Sequence, residues 1–335
     1  MKNALIALLV LLLILSSGCG ENTAEYSATE ILFDTVVQIK IFGGGEQVLG
    51  DALSLCRKYD TLFSHTSDNS DIGRINNSSG EPVEVADETA ELLKTALEYC
   101  ERSEGRFDIS IYPVTRLWDF SAQNPSVPQK NSLKEACGFV DYKNIVLDRN
   151  FVTVKNGAKI NLGAVAKGYI ADRLAEFLQQ KGVEKAIINL GGNIKLVGNV
   201  ADNGKYTVGI KKPFDEHGEL SAVIKVDGGS VVTSGIYERC FTVDGRLYHH
   251  ILNSKSGMPI DSDFASVTIV CESSLLADTM STFCFTVGYE QACGEIEGMP
   301  GVEAVFIMNS GNISVTSGLQ VTEGDIKTVL FRRQG

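Results

Sequence analysis

A fold that mixes α-helices and β-strands in one enzyme-sized unit is what the sequence predicts, and three observations predict it. Ile170, Leu174, Phe177 and Leu178 recur at i, i+4, i+7 and i+8, so the segment after Lys167 reads as an amphipathic helix with one buried stripe. Lys185–Leu190 and Ile194–Val197 read as strands on either side of a tight Gly191-Gly192 turn. Beyond the N-terminal segment about three hundred residues remain, with no low-complexity run and no solenoid repeat, enough for one sizeable core.

The N-terminus predicts export. Met1-Lys-Asn3 is followed by the apolar run Ala4–Leu15 and then Ser16-Ser-Gly-Cys19, the layout of a signal peptide over residues 1–18. The apolar run is too short to span a bilayer comfortably as a mature helix. Cys19 after glycine resembles a bacterial lipobox, with Ser16 where leucine is commoner. That resemblance implies lipidation at Cys19 and anchoring at the extracytoplasmic face of the cell membrane. Residues 19–29 then read as a polar tether and residues 30–333 as the folded domain. The net charge of −12 argues against nucleic-acid binding and against a basic patch on anionic lipid. An anionic ligand would need local attraction, which a divalent cation supplies. The seven further cysteines are odd in number and lack CxxC spacing, which argues against a zinc site or a complete disulfide framework. Cys56, Cys100 and Cys284 fall in helical apolar patterns and read as core thiols.

Along the domain, Ile31–Phe42 alternates as a strand, Val48–Phe63 and Glu88–Arg102 read as helices, and Phe63–Asn76 reads as a polar loop that is either a solvated connection or a ligand grip. Asp108 stands between two apolar residues, and the lone Trp118 among apolar neighbours reads as core. Ser121–Gln129 is a surface loop. Ala158–Asn161 is strand-like and runs into a small-residue turn, Lys167 and the helix closed by Lys181-Gly182. Backbone and helix N-termini approach anions in such a layout, although ordinary strand-to-helix connections use the same residues. It is neither GxxxxGK(S/T) nor GxGxxG. Thr233–Arg239 and Tyr248–Pro259 read as neighbouring strands joined through Asp244-Gly245. His249 and His250 then point to opposite faces, with hairpin surface as their default placement. Leu275–Phe285 reads as a buried helix capped by Ser273 or Ser274. Asp278 and Thr282 share one of its faces. They could hold a hard cation together, or Asp278 could complement the helix N-terminus while Thr282 bonds back to the helix.

Together these segments resemble the ApbE-type FAD:protein FMN transferases. The matching elements stand in the family's order: Phe33-Asp-Thr35, Ser70-Asp-Ile-Gly-Arg-Ile-Asn76, Gly105-Arg-Phe-Asp108 with Pro113 and Leu117-Trp-Asp-Phe120, and Asn161-Leu-Gly-Ala-Val-Ala-Lys-Gly-Tyr169. Then come Asn189-Leu-Gly-Gly-Asn193, Thr233-Ser-Gly235 with Tyr237-Glu-Arg239, His250-Ile-Leu-Asn253 with Gly257 and Pro259, and Ala277-Asp278 with Ser281-Thr282. The resemblance implies an α+β fold with mixed, largely antiparallel sheets flanked by helices. It implies Mg²⁺-dependent cleavage of FAD, with FMN passing to a threonine or serine hydroxyl of an exported flavoprotein, such as a redox-complex subunit, and AMP leaving. The metal ligands it implies are the Asp278 and Thr282 side chains and the Ala164 carbonyl. FAD contacts are implied at Phe33, Thr66, Arg106, Phe107, Asp108, Asn161, Lys167, His250 and Ile251. Lys167 would face the phosphates beside Asp278, and His250 would accept the proton of the incoming hydroxyl. Thr66 replaces a frequent aromatic, Asn161 replaces the usual aspartate, and Asn253-Ser254 replaces Asp-Pro, which predicts a less rigid turn. Hydrolysis of FAD to FMN and AMP, or flavin binding without turnover, are the alternatives.

Overall fold

The computed structural model describes residues 24–198, 205–322 and 327–331. The signal segment and Cys19 lie outside the described residues. The first two strands, β1 (Glu25–Leu32) and β2 (Thr35–Phe42), pair as an antiparallel hairpin where the alternation predicts one strand from Ile31. The reversal is made by Phe33 and Asp34, both left-handed at φ 54° and 55°, the requirement of a type I′ turn without its usual glycine. Glu25–Thr29, assigned to the tether from sequence, therefore belongs to the sheet.

Helix α1 (Gly45–Phe63) follows, and α2 (Asp71–Asn77) occupies the second half of the predicted polar loop. Ser70 starts it by accepting the Gly73 amide at 2.8 Å. Asp71 accepts the Ala86 amide and the Thr89 hydroxyl, so this carboxylate serves the fold. Next come β3 (Val83–Glu84), α3 (Asp87–Arg102), α4 (Tyr112–Thr115), α5 (Lys130–Cys137), β4 (Ile145–Asp148) and β5 (Phe151–Val154), the three strands forming a small sheet. Ala158–Asn161 makes only a single bridge, Lys159 to Ile111, and is not a strand. Helix α6 (Ala166–Gln180) then leads to β6 (Lys185–Leu190) and β7 (Asn193–Val197), a hairpin at the predicted positions.

The remaining elements are β8 (Tyr206–Lys211), β9 (Leu220–Val226), β10 (Gly229–Gly235), β11 (Cys240–Val243), β12 (Arg246–His249), β13 (Phe264–Cys271), α7 (Ser274–Val287), α8 (Tyr289–Glu297), β14 (Glu303–Met308), β15 (Ile313–Val315), β16 (Leu319–Thr322) and β17 (Lys327–Phe331). An eight-stranded antiparallel sheet runs β1-β2-β6-β7-β10-β13-β14-β15, and a four-stranded sheet runs β16-β17-β9-β8 with β17 and β9 parallel. Asp244-Gly245 does make a hairpin turn, but between β11 and β12. Thr233 belongs to the large sheet, opposite Thr268.

The large sheet separates two apolar layers. Val37, Ile39, Ile41, Ile188, Val267 and Ile269 pack with α1, α3, α6 and α7 on one face. Leu196, Val231, Val270 and Ile307 meet Val208, Ile224 and Val329 of the four-stranded sheet on the other. Burial on both faces explains why all eight residues of β13 are buried and its sequence does not alternate in polarity. Each Val or Ile so enclosed contributes about 1.5–3 kcal/mol relative to exposure. A third cluster holds Trp118, which donates to the Gly257 carbonyl at 2.9 Å and stacks on Phe120 beside Phe241 and Tyr248. Cys56, Cys100 and Cys284 are fully buried, and the seven cysteines of the described residues are free thiols.

Candidate active site

Helices α6 and α7 touch where α6 begins. A Cβ on Gly168 would lie 2.3 Å from the Ser274 carbonyl oxygen and 2.7 Å from Asp278 Cβ, so only glycine permits this approach. Asp278, 2 % exposed, uses it: Oδ2 accepts the Gly168 amide at 2.9 Å, and Lys167 Nζ lies 3.2 and 3.5 Å from the two carboxylate oxygens. In a regular helix the Gly168 amide would donate to the Ala164 carbonyl. Here Asp278 takes that donor, and no donor reaches the Ala164 carbonyl among the described residues. Asp278 thus caps α6 and not its own helix, which Ser273 caps through the Leu276 amide.

Thr282 follows Asp278 by one turn. Thr279 and Ser281 bond back to the Leu275 and Asp278 carbonyls, whereas the Thr282 hydroxyl has no hydrogen-bond partner among the described residues. A carbonyl, a carboxylate and a hydroxyl, two of them without donors, make an all-oxygen set suited to a hard cation such as Mg²⁺.

The second group comes from the β12 end. His249 sits 5 % exposed, with Nε2 donating to the Ile260 carbonyl at 3.1 Å and Nδ1 accepting the Ile251 amide at 3.3 Å. Ile251 itself is buried, its carbonyl accepting from the Ile260 amide. His250 is held by its own amide, which donates to the Arg239 carbonyl at 3.1 Å, and its Nδ1 is buried without a partner. Half-exposed hairpin surface is therefore the wrong placement for His249, which is buried at the end of β12, whereas His250, just past that end, is partly exposed with its Nδ1 buried. Burial, with the positive charges of Arg239 and Lys167 behind it, pushes the His250 imidazole down to about 4 and keeps it neutral. Glu238 stands at the mouth of the same cluster, reachable by solvent, yet crowded enough that desolvation lifts its carboxyl to about 7 against the pull of Lys167, Lys211 and Arg239. Arg239 donates to the Asp34 carbonyl at 3.1 Å and so brings the Phe33-Asp34 turn to this side, while the Phe33 amide is fixed by Asp60. Thr66 bonds Ser64, next to His65, whose ring packs on Tyr112.

Asn161 closes the turn into α6: its Oδ1 accepts the Gly163 amide at 2.8 Å and its amide donates to Thr115, a donation aspartate cannot make. Asn253 likewise accepts the Lys255 and Ser256 amides, so the turn expected to be loose is tied at both residues. Asp108, Arg106 and Phe107 are not joined to the Lys167–Asp278 pair. Asp108 Oδ1 accepts the Ser110 amide and hydroxyl and Oδ2 accepts the Tyr142 amide, and burial holds its carboxyl above the usual range. Arg106 donates to Ser103 and Gln291, and Phe107 lies in the main core. A depression of about 390 Å³ beside Asp108, Tyr142 and Ser254 has none of Lys167, His250 or Asp278 in its wall. Sequence reading assigned no role to Glu238, Asp172 or Lys195. For Lys195 a signal existed, a lysine at an inward-facing position of a strand.

The ApbE family model matches residues 33–306. This chain belongs to the ApbE family. It is 32 % identical over 296 residues to the FAD:protein FMN transferase of Klebsiella pneumoniae (strain 342), covering 87 % of this chain and 92 % of that protein. Identity to the FAD:protein FMN transferase of Treponema pallidum (strain Nichols) is 31 % over 354 residues, with 98 % of each covered. Among solved structures, the ApbE protein of Thermotoga maritima superimposes with a TM-score of 0.80 at 31 % identity, over 88 % of this chain and 97 % of that one. The apo flavinyl transferase ApbE of Pseudomonas stutzeri gives 0.76 at 25 % identity, over 88 % and 95 %. The ApbE fold is thus the one described above, helices on a largely antiparallel pair of sheets.

Proposed function

We propose that this ApbE-family chain transfers FMN from FAD to a serine or threonine hydroxyl of an exported flavoprotein, in a Mg²⁺-dependent reaction that releases AMP. The relatives named FAD:protein FMN transferase support the activity. The observation that carries the site is the Gly168–Asp278 hydrogen bond, which takes the amide that would otherwise donate to the Ala164 carbonyl and leaves that carbonyl without a donor among the described residues, with the Thr282 hydroxyl one turn after Asp278 on α7. Ala164, Asp278 and Thr282 are the residues that would hold Mg²⁺. When bound, the ion supplies charge neutralisation and orientation to the pyrophosphate.

The chain's own residues do the rest. Lys167 is a quarter exposed, and its ammonium, 3.2 and 3.5 Å from the Asp278 oxygens and 3.4 Å from the Gly163 carbonyl, exchanges part of the carboxylate contact for a phosphate oxygen. His250 accepts the hydroxyl proton at Nδ1 as the oxygen forms its bond to the FMN phosphorus and the bond to the AMP oxygen breaks. The phosphates delivered by FAD favour the imidazolium and raise this histidine from its low resting value. The sequence Ser16-Ser-Gly-Cys19 supports a lipid anchor that would keep the enzyme on the extracytoplasmic face, where its acceptor is.

Incubation of the purified protein with FAD and Mg²⁺, with and without a flavoprotein bearing an acceptor hydroxyl, tests the reading. Covalent flavin on the acceptor is expected. Free FMN alone would make the protein a pyrophosphatase, and intact FAD would make it a binder. His250→Ala should abolish covalent transfer while FAD still binds, and unchanged transfer would remove His250 from the chemistry.

A further inference from the structure

Asp172 lies one turn after Gly168 on α6, and its carboxylate reaches across to the start of α7. Oδ1 accepts the Ser274 amide at 2.9 Å, and Oδ2 accepts the Leu275 amide and the Ser273 hydroxyl, both at 2.9 Å. Ser273 in turn accepts the Leu276 amide at 3.2 Å. The first three amides of α7, which no helix can satisfy internally, are therefore all partnered, two of them by a residue of another helix. Lys195 of β7, buried under the sheet, fixes the carboxylate with Nζ 3.1 Å from Oδ1, and is itself held by the Glu272 carbonyl at 2.5 Å. Four donors thus meet the acceptor sites of one carboxylate.

The clamp is reciprocal. α6 sends Asp172 to the N-terminus of α7, and α7 sends Asp278 to the Gly168 amide in the first turn of α6. The two contacts are one turn apart on each helix. A helix tied at one point can rotate or slide, whereas two ties one turn apart fix both rotation and register. We infer that Asp172 is a positioning residue for the reaction proposed above: it sets α7 on α6 so that Asp278 meets Gly168 beside the Ala164 carbonyl, without touching the substrate. The inference rests on that reading of the site for its link to catalysis.

The test compares the full protein with Asp172→Asn, which keeps the size but turns an amide nitrogen toward backbone donors. Mg²⁺ alone is titrated against thermal unfolding, and then against FMN transfer. The Mg²⁺ concentration for half-maximal protection is expected to rise roughly 10–100-fold, the usual cost of losing a residue that orients a metal ligand. The half-saturating Mg²⁺ for transfer should rise in parallel, with the KM for FAD at saturating Mg²⁺ unchanged. A variant that melts earlier but keeps the wild-type Mg²⁺ midpoint would reduce Asp172 to a cap and overturn the inference, as would wild-type protein that Mg²⁺ does not protect. If Asp172→Asn does not fold, Lys195→Met decides, since it loosens the carboxylate but leaves the caps: a raised midpoint supports positioning and an unchanged one overturns it. Protection by Mg²⁺ requires no turnover, so loss of the transferase reading in wild-type protein is seen separately from loss of this one.

Discussion

His250 shows how burial sets the chemistry of a single side chain. Its Nδ1 has no partner and its pKa is pushed from 6.5 to about 4, so the resting imidazole is neutral throughout the physiological range and open to a proton. The same shift has a consequence for stability. The folded pKa lies below the unfolded one, so between about 4 and 6.5 the unfolded chain binds the extra proton and stability rises with pH. The contribution is complete above about 6.5 and is lost as pH falls toward 4, at a cost of roughly 3 kcal/mol for a shift of this size. Urea unfolding of the metal-free protein between pH 4.5 and 7 should therefore show a slope that flattens in His250→Gln. Other groups titrate in the same window, Glu238 among them with the opposite sign, so the difference between the two proteins isolates the histidine. An identical slope in the variant would mean that the imidazole is hydrated in solution.

At the scale of elements, the contact of α6 with α7 depends on one missing Cβ. Gly168→Ala would place a methyl 2.3 Å from the Ser274 carbonyl, and backbone cannot yield there as a flexible side chain would. The expected cost is about 1–3 kcal/mol of overpacking, together with loss of transfer as Asp278 is pushed away. Gly182→Ala is the control. Its Cβ meets nothing within 4 Å, but φ is +76°, so it should lose about 1 kcal/mol by backbone strain and keep wild-type activity. Denaturation midpoints with transfer rates separate the two, and equal activity losses would refute the special role of the α6–α7 contact. The helices themselves were legible because their apolar stripes obey one period over several turns, as in α6 and α3. The strands were less so. Phe33-Asp34 makes a left-handed turn with residues that do not signal one, which merged two strands into one, and β13 is buried on both faces and offers no alternation.

The whole molecule gathers its candidate site from segments far apart in sequence: the Phe33-Asp34 turn, residues 161–168, Glu238-Arg239, His250 and Asp278 with Thr282. Sequence could name these through the order of the family's motifs, but not the donor count that leaves Ala164 open, nor the Asp172–Lys195 clamp, because both depend on which helix approaches which. Charge is the property that acts over the entire chain. With a net charge of −12, the protein repels a dianionic pyrophosphate, and Lys167 is paired to the Asp278 carboxylate in the resting site. FAD affinity should thus fall at least roughly 10-fold when EDTA removes divalent cations, the scale of losing one strong local electrostatic contact. The salt response should also change sign. Without Mg²⁺, raising KCl screens a net repulsion over a Debye length of about 10 Å at 0.1 M and should strengthen FAD binding, whereas with Mg²⁺ it should weaken a local attraction. Quenching of FAD fluorescence, titrated at two salt concentrations with and without EDTA, reads all four affinities. Equal affinities with and without EDTA would mean that FAD is held by the protein alone and that the oxygens of Ala164, Asp278 and Thr282 do not act through a metal.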